Sequence, residues 1–506
     1  MIPAVNALKS SLNSCGVRYC HWKSNENLPA ALNANTDLDI LCHREDRQTF
    51  RQILGEHGYI ELEDVAFTGH PGIENYVGHD PETGRSIHVH LHFELTFGTP
   101  FLKEYVTPWG PYVLERRIID PDSGVPITDP TMELFLLMVR YCLKIHRYNP
   151  IARRSYFEGF LEEYDWLSER ADESELETIA HDLLNPNAAA RIGEVLEGDP
   201  TIRDLIRLGN PVRSELDAYN TYPSWSTMPM ALARKAFRGF GKLNREFLNR
   251  PYPSRRKLPS RGVEVAIIGI DGSGKSTHLS SLHEWLSWKM DVNTVYFGSG
   301  DGPSSLLRYP LKKLNELRSS STNGDSTGYE NRSADKLVAS EKTNGGDREN
   351  KAIDTDESVG VPKAVWSILL AREKRKKRRR ATRARNRGMI VLMDRYPQNQ
   401  FDDINDGPLL QAWADSRYRL LKRIAAWERD IYADLEDNSP DLVIKLHTDP
   451  DVAKDRKPET PMTNLQRKSE VIESLAYENS CVVTVDTHRD IEDVLKEIKK
   501  TVWDVI

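Results

Sequence analysis

The stretch GIDGSGKST, residues 269–277, decides the fold of half of this chain. It follows an apolar run, residues 263–268, which is interrupted only by Glu264 and predicts a buried strand. A helix is predicted directly after it, because apolar residues recur there at helical spacing: Leu279, Leu282, Trp285 and Leu286. A strand, a glycine-rich turn and a helix in this order are typical of a phosphate-binding P-loop.

A P-loop binds phosphate through its backbone N–H groups and through the positive end of the following helix. Lys275 is predicted to contact the β- and γ-phosphates of ATP, and the Ser276 hydroxyl to bind Mg2+. The candidate cofactor-binding residues are Gly269, Asp271, Gly272, Ser273, Gly274, Lys275, Ser276 and Thr277.

The segment DRYP, residues 394–397, follows a predicted strand at residues 390–393. A carboxylate at the carboxyl end of a parallel strand lies beside the P-loop, where Asp394 would bind Mg2+ or an attacking hydroxyl. The planar guanidinium of Arg395 is suited to offset phosphate charge. The alternative is that Asp394 only caps a turn.

The segment HTDPDVAKDRKPE, residues 447–459, follows another predicted strand and opens a helix. Arg456 and Lys457 would project from it as a lid that closes over the γ-phosphate. A solvated helix end is the alternative. The candidate catalytic residues are Lys275, Asp394, Arg395 and Arg456.

Composition excludes several classes of protein. With 506 residues, 29% of them charged, and a net charge of −7, the chain is expected to form two to four domains and is not a general polyanion binder. The cysteines are scattered without a CxxC pair, which argues against a zinc ribbon or a disulfide framework. No apolar stretch is long enough to span a bilayer, so a soluble cytoplasmic protein is predicted.

The pattern along the chain predicts four segments. Residues 1–128 read as an α+β domain, residues 129–250 as a helical domain, and residues 251–261 as a basic, proline-containing linker. Residues 262–506 alternate strand and helix, which predicts an α/β domain with a doubly wound parallel sheet. Within it, residues 318–360 are poor in apolar side chains and predict a disordered insertion.

The N-terminal segment carries a second set of candidate ligands. Asp37 and Asp39 alternate along a predicted strand at residues 36–42, which places both carboxylates on one face, where they are predicted to bind Mg2+. A second strand, residues 86–95, places three histidines and Glu94 on one face: His88, His90 and His92. These imidazoles would complete a metal site, or they form a structural polar face.

The C-terminal half resembles the thymidylate kinase family of nucleoside monophosphate kinases. The resemblance is carried by GIDGSGKST, by DRY at residues 394–396, by PDLVIKL at residues 440–446 and by VDTHRDIEDV at residues 485–494. It implies an ATP- and Mg2+-dependent kinase whose relatives are often homodimers.

The same resemblance implies roles for single residues. Asp271, Asp394 and Arg395 would lie near the acceptor, Arg456 would belong to the lid, and Asp486 and Thr487 would approach the adenine.

Two departures leave the phosphoryl acceptor open. Ile268 stands where the family has a glutamate, and FGSGDGP, residues 297–303, replaces the turn that contacts the acceptor nucleotide. The substrate is therefore predicted to be a nucleotide such as dTMP, or alternatively a sugar or sugar phosphate of polysaccharide synthesis.

The N-terminal segment resembles the polymerase-β-type nucleotidyltransferase superfamily, and more closely the nucleotidyltransferase-like proteins found beside polysaccharide genes. HWKSN at residues 21–25, TDLDIL at residues 36–41 and HVHLHFEL at residues 88–95 carry the resemblance. Lys23 stands where a glycine is usual, and His90 replaces the third carboxylate.

Residues 372–387 contain eleven Lys or Arg and one acid. This excess predicts a surface for an anionic polymer, or a solvated basic helix, with Arg372 or Arg375 available to an acceptor phosphate. Three functions remain open: a kinase fused to a nucleotidyltransferase, a kinase whose N-terminal domain only binds, and an NTP-driven regulatory or defence switch.

Overall fold

The computed structural model describes residues 1–65, 68–145, 150–196, 198–298, 361–402 and 404–506. The predicted insertion at residues 318–360 lies outside them. The chain divides into an N-terminal unit and a C-terminal unit. The N-terminal unit comprises Met1–Leu248, Pro253–Pro259 and Trp288–Asp291, and the C-terminal unit comprises Asn249–Tyr252, Ser260–Ser287 and Val292–Ile506.

The N-terminal unit contains strands and helices in roughly equal number. Its strands are β1 (Tyr19–His21), β2 (Leu38–Cys42), β3 (Ile60–Asp64), β4 (Ile73–Asp80), β5 (Arg85–His92), β6 (Leu95–Phe97), β7 (Tyr105–Thr107), β8 (Arg117–Ile119), β9 (Pro126–Thr128) and β10 (Arg256–Lys257). Its helices are α1 (Pro3–Ser14), α2 (Leu28–Leu32), α3 (Arg47–Glu56), α4 (Gly110–Glu115), α5 (Pro130–Lys144), α6 (Pro150–Ser168), α7 (Glu173–Leu183), α8 (Pro186–Leu196), α9 (Ile202–Leu216) and α10 (Ser224–Leu243).

Eight of these strands form one mixed sheet in the order β10-β3-β4-β5-β2-β1-β9-β8. The central pair β2 and β5 is parallel, with Asp39 opposite His90, while β1 and β2 are antiparallel. The alternation of side chains therefore brings the acidic strand and the histidine strand side by side.

Helix α5 joins the sheet to the helical part of this unit. Asp129 caps it by accepting hydrogen bonds from the backbone N–H of Thr131 and Met132. Every residue from 131 to 143 is buried, and one apolar cluster unites α5 and α6–α9 with sheet residues such as Trp22 and Leu41. Because this core is continuous, residues 1–128 and 129–248 lie in one unit.

The predicted basic linker is also part of the N-terminal unit for most of its length. Arg256 and Lys257 form β10, which pairs with β3 at the sheet edge opposite Asp64 and Glu63. Arg256 contacts Asp64 at 3.4 Å, and Lys257 forms an ion pair with Glu63. Opposite charges on paired strands stabilise this pairing, and residues 251–261 are therefore not a free connector.

The C-terminal unit is an α/β structure with a fully parallel sheet, which confirms the predicted α/β class and the parallel sheet. Its strands are β11 (Glu264–Gly269), β12 (Val292–Tyr296), β13 (Ile390–Asp394), β14 (Leu442–His447) and β15 (Cys481–Asp486), in the order β12-β13-β11-β14-β15. Its helices are α11 (Lys275–Ser287), α12 (Val361–Arg385), α13 (Arg419–Asp437), α14 (Pro450–Arg456), α15 (Met462–Ser474) and α16 (Ile491–Trp503).

Glu264, which interrupts the apolar pattern of β11, is fully buried. Its carboxylate accepts a hydrogen bond of 2.6 Å from Arg378 on α12, which meets the requirement that a buried charge be paired. Among the described residues, no helix is both long and apolar enough to cross a bilayer.

Candidate functional site

The predicted P-loop lies between the end of β11 and the first turn of α11. Gly272 and Gly274 have positive φ angles of 89° and 86°, which favour glycine. A Cβ atom on Gly272 would lie 2.7 Å from the carbonyl oxygen of Ala453 in α14, so any larger residue would displace this helix. Ser276 and Thr277 follow in the first turn with exposed side chains.

The Lys275 side chain folds back over this loop. Its ammonium donates to the carbonyl oxygens of Gly269, at 3.0 Å, and Ile270, at 2.6 Å, and only 7% of the residue is exposed. Burial lowers its pKa to about 8, because the charged form loses solvation. A phosphate anion beside the ammonium would restore that stabilisation, which is the role that P-loop lysines perform.

Asp394 ends β13 next to the start of α11. Its Oδ2 accepts a hydrogen bond of 3.4 Å from the Ser276 hydroxyl. Within the described residues, its buried Oδ1 has no hydrogen-bond partner, and burial raises the pKa of the carboxyl. The Ser276 hydroxyl and this carboxylate are oxygen donors side by side, and they fit the requirements of a Mg2+ site, whose ligands are oxygens.

Arg395 and Asp271 form an ion pair of 2.8 Å beside the P-loop. The Arg395 backbone has φ 64°, an unfavourable value for a residue other than glycine, which is held where the chain leaves β13. Lys468 of α15 contacts the second oxygen of Asp271, also at 2.8 Å. Although burial opposes it, these two cations hold the pKa of Asp271 below its ordinary range.

Sequence reasoning missed Lys468 and also Lys374. Lys374 of α12 is 1% exposed and contacts Asp406 at 3.4 Å, and Asp406 lies 3.9 Å from Arg395. Neither lysine belongs to a local motif, because each lies on a helix that is distant in sequence from the acidic residue it contacts. Their burial beside acidic groups is the signal that identifies them.

Three further residues of this unit were predicted from the sequence: Arg456, which lies at the P-loop, and Asp486 and Thr487, which lie at the end of β15. The Arg456 guanidinium donates to the Gly272 carbonyl at 3.3 Å, so the predicted lid residue lies at the P-loop. Thr487 follows β15, is buried, and shares a hydrogen bond of 2.6 Å with Thr448, while Asp486 pairs with His488.

Asp39 lies in a second polar cluster, in the N-terminal unit. Its Oδ1 is 2.8 Å from His90 Nδ1, 4.0 Å from His92 Nε2 and 2.9 Å from the Lys23 ammonium. The two imidazole nitrogens are 3.2 Å apart. The histidine strand therefore brings imidazoles to the DxD strand, as its alternation predicts.

Asp37 has different partners from Asp39. It precedes β2 and lies 3.1 Å from His88 Nδ1 and 2.5 Å from the ammonium of Lys289, in the Trp288–Asp291 segment of the same unit. Although burial opposes it, His88 and Lys289 hold the pKa of Asp37 below its ordinary range. Glu94 does not continue the histidine face as predicted, because β5 ends at His92 and Glu94 pairs with Arg44.

Burial keeps the imidazoles of the histidine strand neutral at pH 7. It lowers the pKa of His88 to about 4, that of His90 to about 3 and that of His92 well below its ordinary value. Neutral imidazoles are the form that binds metals.

The HWKSN motif is held by a buried polar network. Ser24 has φ 57°, so the positive φ of this turn falls on a serine while Lys23 replaces the expected glycine. His21 bonds to the Asn25 side chain at 2.7 Å, and Asn25 donates to Glu133 of α5 at 2.6 Å. Burial raises the pKa of Glu133 to about 7.

Cations accumulate around this motif. Lys23, Lys103, Arg140 and Lys144 interact electrostatically with one another, and burial lowers the pKa of Lys103 to about 7. Cations held this close repel each other, which a bound anion would relieve. Lys103, Arg140 and Lys144 were not identified from the sequence, because no motif connects them.

The basic helix α12 has two faces. Lys374 and Arg378 are buried against the rest of the C-terminal unit. On the opposite side, five cations and Trp427 of α13 line a groove of about 370 Å³: Arg372, Arg375, Lys376, Arg379 and Arg383. Arg372 and Arg375, which the sequence suggested as contacts of the acceptor phosphate, are among the residues that line this groove.

Comparison with known proteins identifies ATP-binding relatives. The chain is 25% identical over 245 residues to the uncharacterized ATP-binding protein YghR of Escherichia coli K12, covering 47% of this chain and 86% of that protein. It is 25% identical over 237 residues to YghS of the same strain, also named an uncharacterized ATP-binding protein, covering 46% and 89%. No protein-family profile matches the chain. The similarity supports an ATP-binding domain in this chain.

Proposed function

We propose that this chain is an ATP- and Mg2+-dependent phosphotransferase, a P-loop kinase that resembles thymidylate kinase. The observation that carries the proposal is the Asp271–Arg395 ion pair beside the P-loop, joined by Lys468. An NTP-driven switch requires only the P-loop and its metal ligands. A second, anionic substrate requires further charged groups beside the P-loop and its metal ligands.

The residues of this site have separable roles in the proposed reaction. Lys275 would bind the β- and γ-phosphates, while Ser276 and Asp394 would hold Mg2+, which offsets phosphate charge when bound. Arg395 would orient the transferred group together with Arg456, whose contact with the Gly272 carbonyl keeps its guanidinium at the loop. Asp271 would keep Arg395 and Lys468 in position until the acceptor arrives.

The acceptor is proposed to be phosphorylated already, either a nucleoside monophosphate such as dTMP or a sugar phosphate. Arg395, Lys468 and Lys374 bring three cations to this side of the P-loop, where they contact Asp271 and Asp406. A phosphate on the acceptor would pair with these cations, whereas a neutral sugar would not.

A transfer screen tests the proposed reaction. Purified full-length protein is incubated with radiolabelled ATP and Mg2+, and with nucleoside monophosphates, sugar phosphates or neutral sugars. Label is expected in a phosphorylated acceptor and at most slowly in free phosphate. ATP hydrolysis that no acceptor accelerates, and that nucleic acid stimulates, would favour the regulatory switch instead.

For the N-terminal unit, we infer a nucleotidyltransferase-like domain that binds nucleotide phosphates. The parallel pair β2 and β5 and the turn at Ser24 support this inference, together with Lys23, Lys103 and Arg140 near Asp39. Whether the domain catalyses transfer or only binds is decided by assaying nucleotide incorporation with the Lys275→Ala variant, in which the proposed kinase is inactive.

A second binding function is proposed for the groove beside α12. Among the described residues, no carboxylate lies within ion-pairing distance of its five cations. They extend over twelve residues of helix, about 16 Å, and Trp427 offers a ring on which a base can stack. The proposed occupant is single-stranded nucleic acid, which combines regularly spaced phosphates with stacking bases.

Charge reversal in the groove tests this function. The Arg375→Glu/Arg379→Glu variant is expected to lose affinity for a fluorescent oligonucleotide, and the slope of log affinity against log salt should fall by about 1.4. The Lys496→Glu/Lys500→Glu variant of α16 makes the same charge change at the same helical spacing and should bind as the wild type does. Equal losses in both variants would mean that only the net charge matters.

A further inference from the structure

The Asp39 cluster has a geometry that its hydrogen bonds do not explain. His92 is fully buried, and within the described residues its Nδ1 has no partner, while its Nε2 faces His90 Nδ1. The same His90 nitrogen faces Asp39 Oδ1. If the His90 nitrogen is protonated, one N–H faces both neighbours, and if it accepts from His92, its lone pair faces the Asp39 oxygen. Neither tautomer satisfies both contacts fully, whereas buried polar atoms are generally each satisfied.

We infer that Asp39, His90 and His92 form a binding site for a divalent transition-metal ion such as Zn2+ or Co2+. The three ligand atoms are 2.8, 3.2 and 4.0 Å apart. A point equidistant from all three lies about 2.0 Å from each, which is the bond length of zinc to imidazole nitrogen and carboxylate oxygen. An ion therefore fits between the three ligand atoms without rearrangement of these side chains.

The donor set distinguishes this ion from Mg2+. Two imidazole nitrogens and one carboxylate oxygen favour zinc, cobalt, nickel or iron, whereas Mg2+ prefers oxygen ligands only. The sequence predicted Mg2+ on Asp37 and Asp39, but Asp37 is engaged by His88 and Lys289 and is not among the converging ligands. The inference rests on the sheet geometry alone and is independent of the proposed kinase reaction.

Lys23 competes with the ion. Its ammonium lies 2.9 Å from Asp39 Oδ1 and supplies positive charge where the ion would supply it. Binding of the ion must therefore displace the ammonium from the carboxylate. The displaced lysine would be available to a phosphate, which the neighbouring cations Lys103 and Arg140 also favour.

Metal binding to the full-length protein tests the inference. After removal of metals with a chelator, nucleotide-free protein is titrated with Co2+ in excess Mg2+, with visible absorption as the readout and Zn2+ as the competitor. Stoichiometric binding is expected, and His90→Ala and His92→Ala should each weaken it at least about 100-fold. His181→Ala, an exposed histidine on α7, is the matched control and should bind as the wild type does.

A variant that is expected to bind the ion more tightly distinguishes loss of the site from loss of folding. Lys23→Met removes the competing ammonium and should strengthen Co2+ binding on the order of 10-fold. Thermal unfolding verifies that each variant is folded. The inference is overturned if wild-type protein binds no stoichiometric Co2+, if neither histidine variant weakens binding, if Lys23→Met does not strengthen it, or if Mg2+ displaces the ion at equal concentration.

Discussion

Lys275→Ala is expected to abolish ATP-dependent phosphoryl transfer, with a loss of turnover on the order of 10²-fold or more. The buried ammonium contacts only the two backbone carbonyls of Gly269 and Ile270 among the described residues, so it is held at the loop and ready to meet the charge that develops on the γ-phosphate. Turnover is measured with the acceptor found in the transfer screen, and ATP affinity is measured separately by calorimetry.

The fold should survive this substitution, because a buried lysine whose pKa is lowered by burial contributes little to stability as a charge. Lys500→Ala on α16, an exposed lysine in the same unit, provides the control and should be fully active. Transfer at the wild-type rate by a folded Lys275→Ala variant would contradict the assignment of the P-loop as the donor site.

Asp394→Asn and Arg395→Ala are expected to lower turnover by about 10²-fold or more while changing ATP affinity only a few-fold. Asp394 has a buried oxygen without a hydrogen-bond partner among the described residues and is proposed to bind Mg2+, and Arg395 is paired with Asp271, where the acceptor is proposed to bind. In the proposed reaction, both groups act on the transferred phosphoryl group and not on ATP as a whole. Steady-state kinetics combined with equilibrium ATP binding separates the two quantities.

Arg395→Lys is the informative companion variant. It keeps the charge but loses the planar guanidinium, so an intermediate turnover is expected if the bidentate geometry matters. Loss of ATP affinity with unchanged turnover in these variants would show that Asp394 and Arg395 bind the donor nucleotide and do not act on the transfer step.

Much of the C-terminal unit was predictable because its signals are local. The β11–loop–α11 unit depends on apolar periodicity and on glycines at fixed spacing, and both are properties of a short stretch of chain. The parallel sheet follows from the alternation of strand and helix, since parallel strands need a crossover between them. Asp394 at the end of β13 was predictable for the same reason.

Residue pairings over long sequence distances were not predictable. Lys468 contacts Asp271, and Lys374 contacts Asp406, only because of the way in which helices α15 and α12 pack beside the sheet. The pattern of α12 showed an excess of cations. Its packing decided that Lys374 and Arg378 are buried and that Arg372 and Arg375 line the groove.

The N-terminal unit shows the same division between sequence and tertiary structure. The sequence by itself determined that Asp37 and Asp39 lie on one face of their strand and that the three histidines lie on one face of a second strand, because side chains alternate along a strand. Only the tertiary structure decided that β2 and β5 are neighbours in parallel register. That register sets Asp39 opposite His90 and places Asp37 beside His88, since a shift of one residue would exchange the faces.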